Sequence, residues 1–98
     1  MHGLVELSRD IVIANRILAN QGVVDGFGHV SARHPDNPER FLLSRSRSPE
    51  LVTIEDIREF NLSGEMIDPD GAPSYLERFI HAAVYELHSD VNGCVHSH

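Results

Sequence analysis

Hydrophobic positions recur with a helical period in two long segments of this chain. Residues 4–20 carry apolar side chains at the spacing of an amphipathic helix. The members of this first stripe are Leu4, Leu7, Ile11, Ile17 and Leu18. The members of a second stripe, within residues 74–88, are Leu76, Phe79, Ile80, Ala83, Val84 and Leu87. The pattern predicts two α-helices, the first ending near Gly22 and the second beginning at an N-cap, Ser74.

Shorter segments between and after these helices have the pattern of β-strands. The predicted strands are residues 29–33, 41–43, 65–67 and 94–98. A Pro-Asp-Asn-Pro sequence separates the first two strands, which are therefore expected to form a hairpin. Thr53, followed by Asp56 in a capping-box pattern, predicts a short helix. The order helix, strands, helix, strand indicates a mixed α/β fold in one domain, residues 1–98.

The charge balance narrows the class of partner. The chain has 8 basic and 15 acidic residues and a formal net charge of −7, which argues against nucleic acid or an anionic membrane. No apolar run approaches the roughly 20 residues of a membrane span, and no signal-peptide pattern is present. The single cysteine, Cys94, excludes an intrachain disulfide. These features predict a cytoplasmic protein.

A His-Ser-His sequence closes the last predicted strand. Because alternate residues of a strand point to the same side, the imidazoles of His96 and His98 would project together, as a divalent metal requires. The competing interpretation is a pair of solvent-facing histidines near the chain end. A catalytic zinc usually has three protein ligands, so a further ligand must come from elsewhere.

Glu77 is the candidate for that further ligand. It stands in the first turn of the second predicted helix, where a carboxylate could bind a metal or transfer a proton. It could equally form a capping box with Ser74. His81 follows on the same helix face and could orient Glu77, or it could be a hydrogen-bonded, partly buried histidine.

Four segments together resemble the class II aldolase/adducin family. They are residues 25–33 (DGFGHVSAR), 41–44 (FLLS), 77–81 (ERFIH) and 95–98 (VHSH). Their order and the separation of Glu77 from the His-Ser-His sequence are similar to those of the family. The resemblance implies a layered α/β/α fold with a mainly antiparallel sheet and assembly into a homotetramer.

The resemblance also implies a chemistry. Family enzymes bind a divalent metal, zinc or alternatively manganese, through three histidines, of which His96 and His98 would be the first two. Glu77 would bind the resting metal and then act as the catalytic proton-transfer residue. The reaction would be that of a carbon–carbon lyase, by aldol cleavage, epimerisation or decarboxylation through a metal-stabilised enolate.

The residues expected at the substrate differ from those of the sugar-phosphate aldolases in the family. The expected substrate-binding residues are Gly28, His29, Ser44, Arg45 and Tyr75. The sugar-phosphate aldolases have asparagine at the position of His29 and small hydroxyl residues at those of Tyr75 and Leu76. Arg45 is suited to binding a carboxylate in bidentate fashion, which favours a small carboxylated hydroxy or oxo substrate. The alternative is that Arg45 is a solvated loop residue.

The family domain is longer than this chain. The third histidine and the elements that follow it have no counterpart in residues 1–98, so we expect the N-terminal portion of a truncated domain. Its second helix and last strand should then leave apolar surface exposed, with self-association as a consequence. The enzyme hypothesis competes with a non-catalytic, adducin-like interaction module and with an inactive truncated remnant.

Overall fold

The computed structural model describes residues 3–20, 29–45, 51–68, 74 and 78–96, with the backbone alone at Leu18, Ala19, His29 and His96. Its elements are α1 (Leu4–Asn20), β1 (His29–Arg33), β2 (Arg40–Ser44), a 3₁₀ helix (Ile54–Asp56), β3 (Ile57–Asn61), α2 (Arg78–Leu87) and β4 (Gly93–His96). In these described ranges, neither helix is long and apolar enough to cross a membrane.

The four strands form one antiparallel sheet in the order β3-β2-β1-β4. The hairpin predicted for the first two strands is present, with Ser31 opposite Leu43. After α2, β4 returns to the other side of β1, where it places Cys94 opposite Ser31 and His96 opposite His29. The first and last strands of the described chain are therefore neighbours.

Each face of the sheet is covered by one helix. Because side chains alternate along β2, neighbouring residues enter different clusters. The buried cluster beneath α2 consists of Phe41, Leu43, Phe60, Ala82 and Tyr85. The buried cluster beneath α1 consists of Ile11, Ala32 and Leu42. The result is the expected layered α/β/α fold with an antiparallel sheet.

The region around the 3₁₀ helix differs from the sequence pattern. The helix predicted at Thr53 is a single 3₁₀ turn, closed by the expected capping box with Asp56. The strand that follows it, β3, is not predicted, because charged Arg58 and Glu59 interrupt its apolar positions. The strand predicted at residues 65–67 is reduced to one bridge, between Phe60 and Met66.

Helix α2 packs on the sheet through a face other than its apolar stripe. Its buried residues are His81, Ala82 and Tyr85. The stripe residues Phe79, Ile80 and Leu87 are instead 49%, 46% and 76% exposed, and Val95 of β4 is 53% exposed. We call Phe79, Ile80 and Leu87 the apolar stripe surface; Val95 is not part of it, because Cys94 faces α2 and the next residue of β4 points to the other side of the sheet. The exposed apolar surface that the sequence predicts at this helix and strand is therefore present.

Candidate active site

The structure positions some of the predicted site residues. Gly28, Tyr75, Glu77 and His98 lie outside the described residues, so their predicted roles stay predictions. His29 and His96 are described by their backbones, which are directly opposed in the β1–β4 ladder. Ser31 lies two residues after His29 in β1, and Cys94 lies two residues before His96 in β4. Ser31 and Cys94 are on the side of the sheet that α2 covers.

No group of three or more histidine, cysteine, aspartate or glutamate residues is arranged to hold a metal within the described part of the chain. Two of the three proposed ligands, Glu77 and His98, lie outside it. The third, His96, ends strand β4.

A buried hydrogen-bonded chain connects α2 to β1. His81 is fully buried, and its Nδ1 lies 2.6 Å from the Oγ of Ser31. The same Oγ lies 2.8 Å from the hydroxyl of Tyr85. The ring of Phe41 stacks on the imidazole with centroids 6.3 Å apart and packs against Tyr85 at 5.2 Å. The interpretation of His81 as a buried, hydrogen-bonded histidine is confirmed, and its action on Glu77 stays a hypothesis.

The phenol of Tyr85 keeps its proton over a wide pH range. Burial raises the pKa of Tyr85 to about 12, with a smaller increase from Cys94. The hydrogen bond with Ser31 and the charge of Arg33 lower this pKa, but they do not offset the effect of burial. Tyr85 is therefore a hydrogen-bond donor in this chain at neutral pH.

Arg33 fixes the end of α2 against β1. Its guanidinium donates to the carbonyl oxygens of Val91 at 2.9 Å and of Tyr85 and His88 at 3.0 Å each. It also donates to the carbonyl of Pro38 and lies 4.9 Å above the ring centroid of Tyr85. The guanidinium thus satisfies the carbonyl of Tyr85 in the last turn of α2 and ties it to the carbonyls of His88 and Val91, which follow the helix. Sequence reasoning gave this residue no role, although it ends the DGFGHVSAR segment that carries the family resemblance.

Ser44 and Arg45 are both bound within the protein. The Oγ of buried Ser44 donates to the carbonyl of Arg45 at 2.6 Å. The Nε of Arg45 donates to the Oδ1 of buried Asp56 at 2.7 Å. The second carboxylate oxygen of Asp56 accepts the backbone N–H of Thr53 at 2.9 Å and its hydroxyl at 3.1 Å. Arg45 is therefore ion-paired, which corrects the solvated-loop interpretation, while its role toward a substrate stays a prediction.

The layered fold and the order of the candidate residues define a class II aldolase-like domain. Residues 9–98 match the family model described as the Class II Aldolase and Adducin N-terminal domain. The chain belongs to this family.

Individual relatives include a decarboxylase and an aldolase. Over 92 residues, the chain is 32% identical to decarboxylase tropJ of Talaromyces stipitatus, covering 92% of this chain and 35% of that protein. It is 28% identical to the structure of L-fuculose 1-phosphate aldolase from Glaciozyma antarctica PI12, with a TM-score of 0.84 and coverage of 96% and 40% of the two chains. An aldolase II superfamily protein from Pseudomonas syringae, 23% identical, shares the fold with a TM-score of 0.84. The match covers 96% of this chain and 39% of that protein. The chain thus spans 35% to 40% of the length of these relatives.

Proposed function

We propose that this chain forms part of a metal-dependent carbon–carbon lyase of the aldolase or decarboxylase type. The family match over residues 9–98 carries the proposal, because this stretch contains Glu77, His96 and His98 in the order found in the family. A relative described as a decarboxylase and another described as an aldolase both support lyase chemistry.

The donor set is chemically suited to a divalent ion. Imidazole and carboxylate bind zinc and manganese alike, with zinc as our first choice. His96, His98 and Glu77 would hold the ion, and the position of His96 in β4 beside β1 supports this set. When bound, the ion acts as a Lewis acid that withdraws charge from a substrate oxygen. Glu77 would then move the proton at the reacting carbon.

The proposed substrate is a small hydroxy or oxo acid. Arg45 would bind its carboxylate, and because Asp56 already engages Nε, binding would use the terminal Nη nitrogens. The bond from Ser44 to the Arg45 carbonyl supports a fixed backbone at this point. Gly28, His29 and Tyr75 would complete the substrate site. The decarboxylase relative favours this substrate class over a sugar phosphate.

A lyase assay on the intact protein tests the proposal. We expect metal-dependent cleavage of small hydroxy or oxo carboxylates, measured as release of carbon dioxide or aldehyde, and at least a 100-fold lower kcat in Glu77→Gln, because general acid–base catalysis contributes about 100- to 10,000-fold. The matched control is Glu86→Gln, an exposed glutamate of α2. Equal activity of the two variants would remove Glu77 from the chemistry.

A second candidate function is a non-catalytic interaction module in a homo-oligomer. The apolar stripe surface favours it, because large exposed apolar side chains on one helix are typical of protein contact sites. A protein that self-associates but neither binds metal nor cleaves any substrate would support this alternative.

A further inference from the structure

The buried chain of His81, Ser31 and Tyr85 has one favourable direction of proton donation. Ser31 and Tyr85 are each 1% exposed and His81 is 0% exposed, so bulk water does not reach these groups. In the part of the protein that the structure describes, the hydroxyl of Tyr85 has one polar partner, the Ser31 Oγ. A buried O–H without an acceptor is costly, so Tyr85 donates to Ser31.

The direction of the first bond sets the direction of the second. Ser31 accepts from Tyr85 and has one proton of its own to donate, and its acceptor among the residues that the structure describes is the Nδ1 of His81 at 2.6 Å. An imidazole that accepts at Nδ1 carries its proton on Nε2. The opposite direction would give Nδ1 the proton and leave the phenol proton of Tyr85 without an acceptor.

The ring of His81 is also fixed in space. Phe41 stacks on it with an interplanar angle of 20°, and the ring is sealed between α2 and β1. The imidazole therefore has a set tautomer and a set plane, as is usual for a residue that orients another group.

We propose that Tyr85 and Ser31 hold His81 as its Nε2–H tautomer, so that His81 presents a fixed N–H donor and acts as a positioning residue for the proposed proton-transfer group, Glu77. Glu77 precedes His81 by four residues in the sequence, the spacing from which the sequence predicts that the two share a helix face. This inference rests on the proposed function, because it gives His81 a role toward the proposed proton-transfer group.

Nitrogen NMR on histidine-labelled intact protein tests the tautomer directly. We expect the His81 resonances of the Nε2–H tautomer, with a bound proton on Nε2 alone. Glu77→Ala should shift the Nε2–H proton resonance, and the exposed control Glu86→Ala should leave it unchanged. A proton on Nδ1, or a resonance that ignores Glu77→Ala, would overturn the inference whether or not the protein proves to be a lyase.

Two amide substitutions separate positioning from packing in the enzyme. In His81→Gln the side-chain N–H can replace Nε2–H, whereas in His81→Asn the amide can replace only Nδ1. We expect His81→Asn to lower kcat about 10- to 100-fold with little change in KM, and His81→Gln to recover most of that loss. Equal kcat in the two variants would contradict a positioning role. Absence of lyase activity in the unsubstituted protein would count against the proposed function and leave the NMR result standing.

Discussion

The side chain of Asp56 stabilises two parts of this molecule at the same time. Its carboxylate closes the 3₁₀ turn through Thr53 and at the same time binds the Nε of Arg45. Sequence reasoning identified the capping box from spacing alone. It could not identify the ion pair, because the approach of Arg45 to Asp56 depends on how β2 and β3 pair.

The ion pair leads to a prediction for Arg45. Arg45→Met should lower the free energy of unfolding by about 2 kcal/mol, because buried Asp56 loses a charged partner. Arg40→Met is the control, since the Arg40–Glu59 pair is more exposed and should contribute about 0.5 kcal/mol. Denaturant unfolding measures both values. If Arg45 also binds a substrate carboxylate, Arg45→Met raises KM in the folded enzyme, and an unchanged KM would refute that role.

The buried phenol of Tyr85 predicts a pH dependence of stability. The unfolded phenol ionises near pH 10 and the folded one near pH 12, so stability is full below pH 10 and falls as the pH rises through this window. The expected loss is about 3 kcal/mol. All eight basic residues are arginines, so no lysine titrates in the same range.

Tyr85→Phe tests this prediction. Both proteins should carry Cys94→Ala, because burial also raises the pKa of the Cys94 thiol. The free energy of unfolding, followed from pH 9 to pH 12, should fall more steeply with Tyr85 than with Phe at this position. Parallel curves would show that the phenol does not ionise differently in the two states.

Among the elements, the helices and the first hairpin follow from the sequence, and the docking face of α2 does not. Helical period predicts α1 over its observed range, Leu4–Asn20, and alternation predicts β1 over His29–Arg33. The face of α2 that is buried contains His81 and Tyr85, whose hydrogen bonds to Ser31 need a partner strand that period cannot show. The sequence does not predict β3 for a related reason. Its charged residues are typical of a loop, and its pairing with β2 is visible only in the structure.

Among the contacts between elements, those of Arg33 should contribute most to holding α2 on the sheet. Arg33→Met should lower the free energy of unfolding by about 2–4 kcal/mol, because the carbonyls of Tyr85, His88 and Val91 lose the guanidinium together. Arg33→Lys should recover little, since a single ammonium cannot replace the planar fork. The control is Arg16→Met on α1, which removes a guanidinium whose hydrogen-bond acceptor among the described residues is the carbonyl of Val52. Equal losses at the two positions would refute a clamp at Arg33.

At the scale of the whole molecule, the apolar stripe surface is the kind of surface that a partner protein covers. The family resemblance implies a homo-oligomer, and Phe79, Ile80 and Leu87 are exposed apolar residues of α2 that such an assembly could cover. The sequence predicts this exposure from the length of the family domain, whereas it does not predict the particular surface, which depends on how α2 docks.

Leu87→Glu tests whether this surface mediates self-association. Because Leu87 is 76% exposed, the substitution should change the free energy of unfolding by less than about 0.5 kcal/mol while it lowers the mass measured by light scattering. Leu51→Glu, at another exposed apolar position, is the control. A monodisperse monomer before substitution would contradict the prediction.

The central claim is that Glu77, His96 and His98 form a metal centre. Calorimetric titration of zinc into the metal-free intact protein, compared with His96→Ala and with the exposed control His88→Ala, tests this most directly. We predict about one zinc ion per chain in the unsubstituted protein and in the control, and at least a tenfold weaker affinity in His96→Ala, because a protein ligand is lost. Equal zinc binding in all three proteins, or none in any of them, would contradict the metal centre and favour the interaction module.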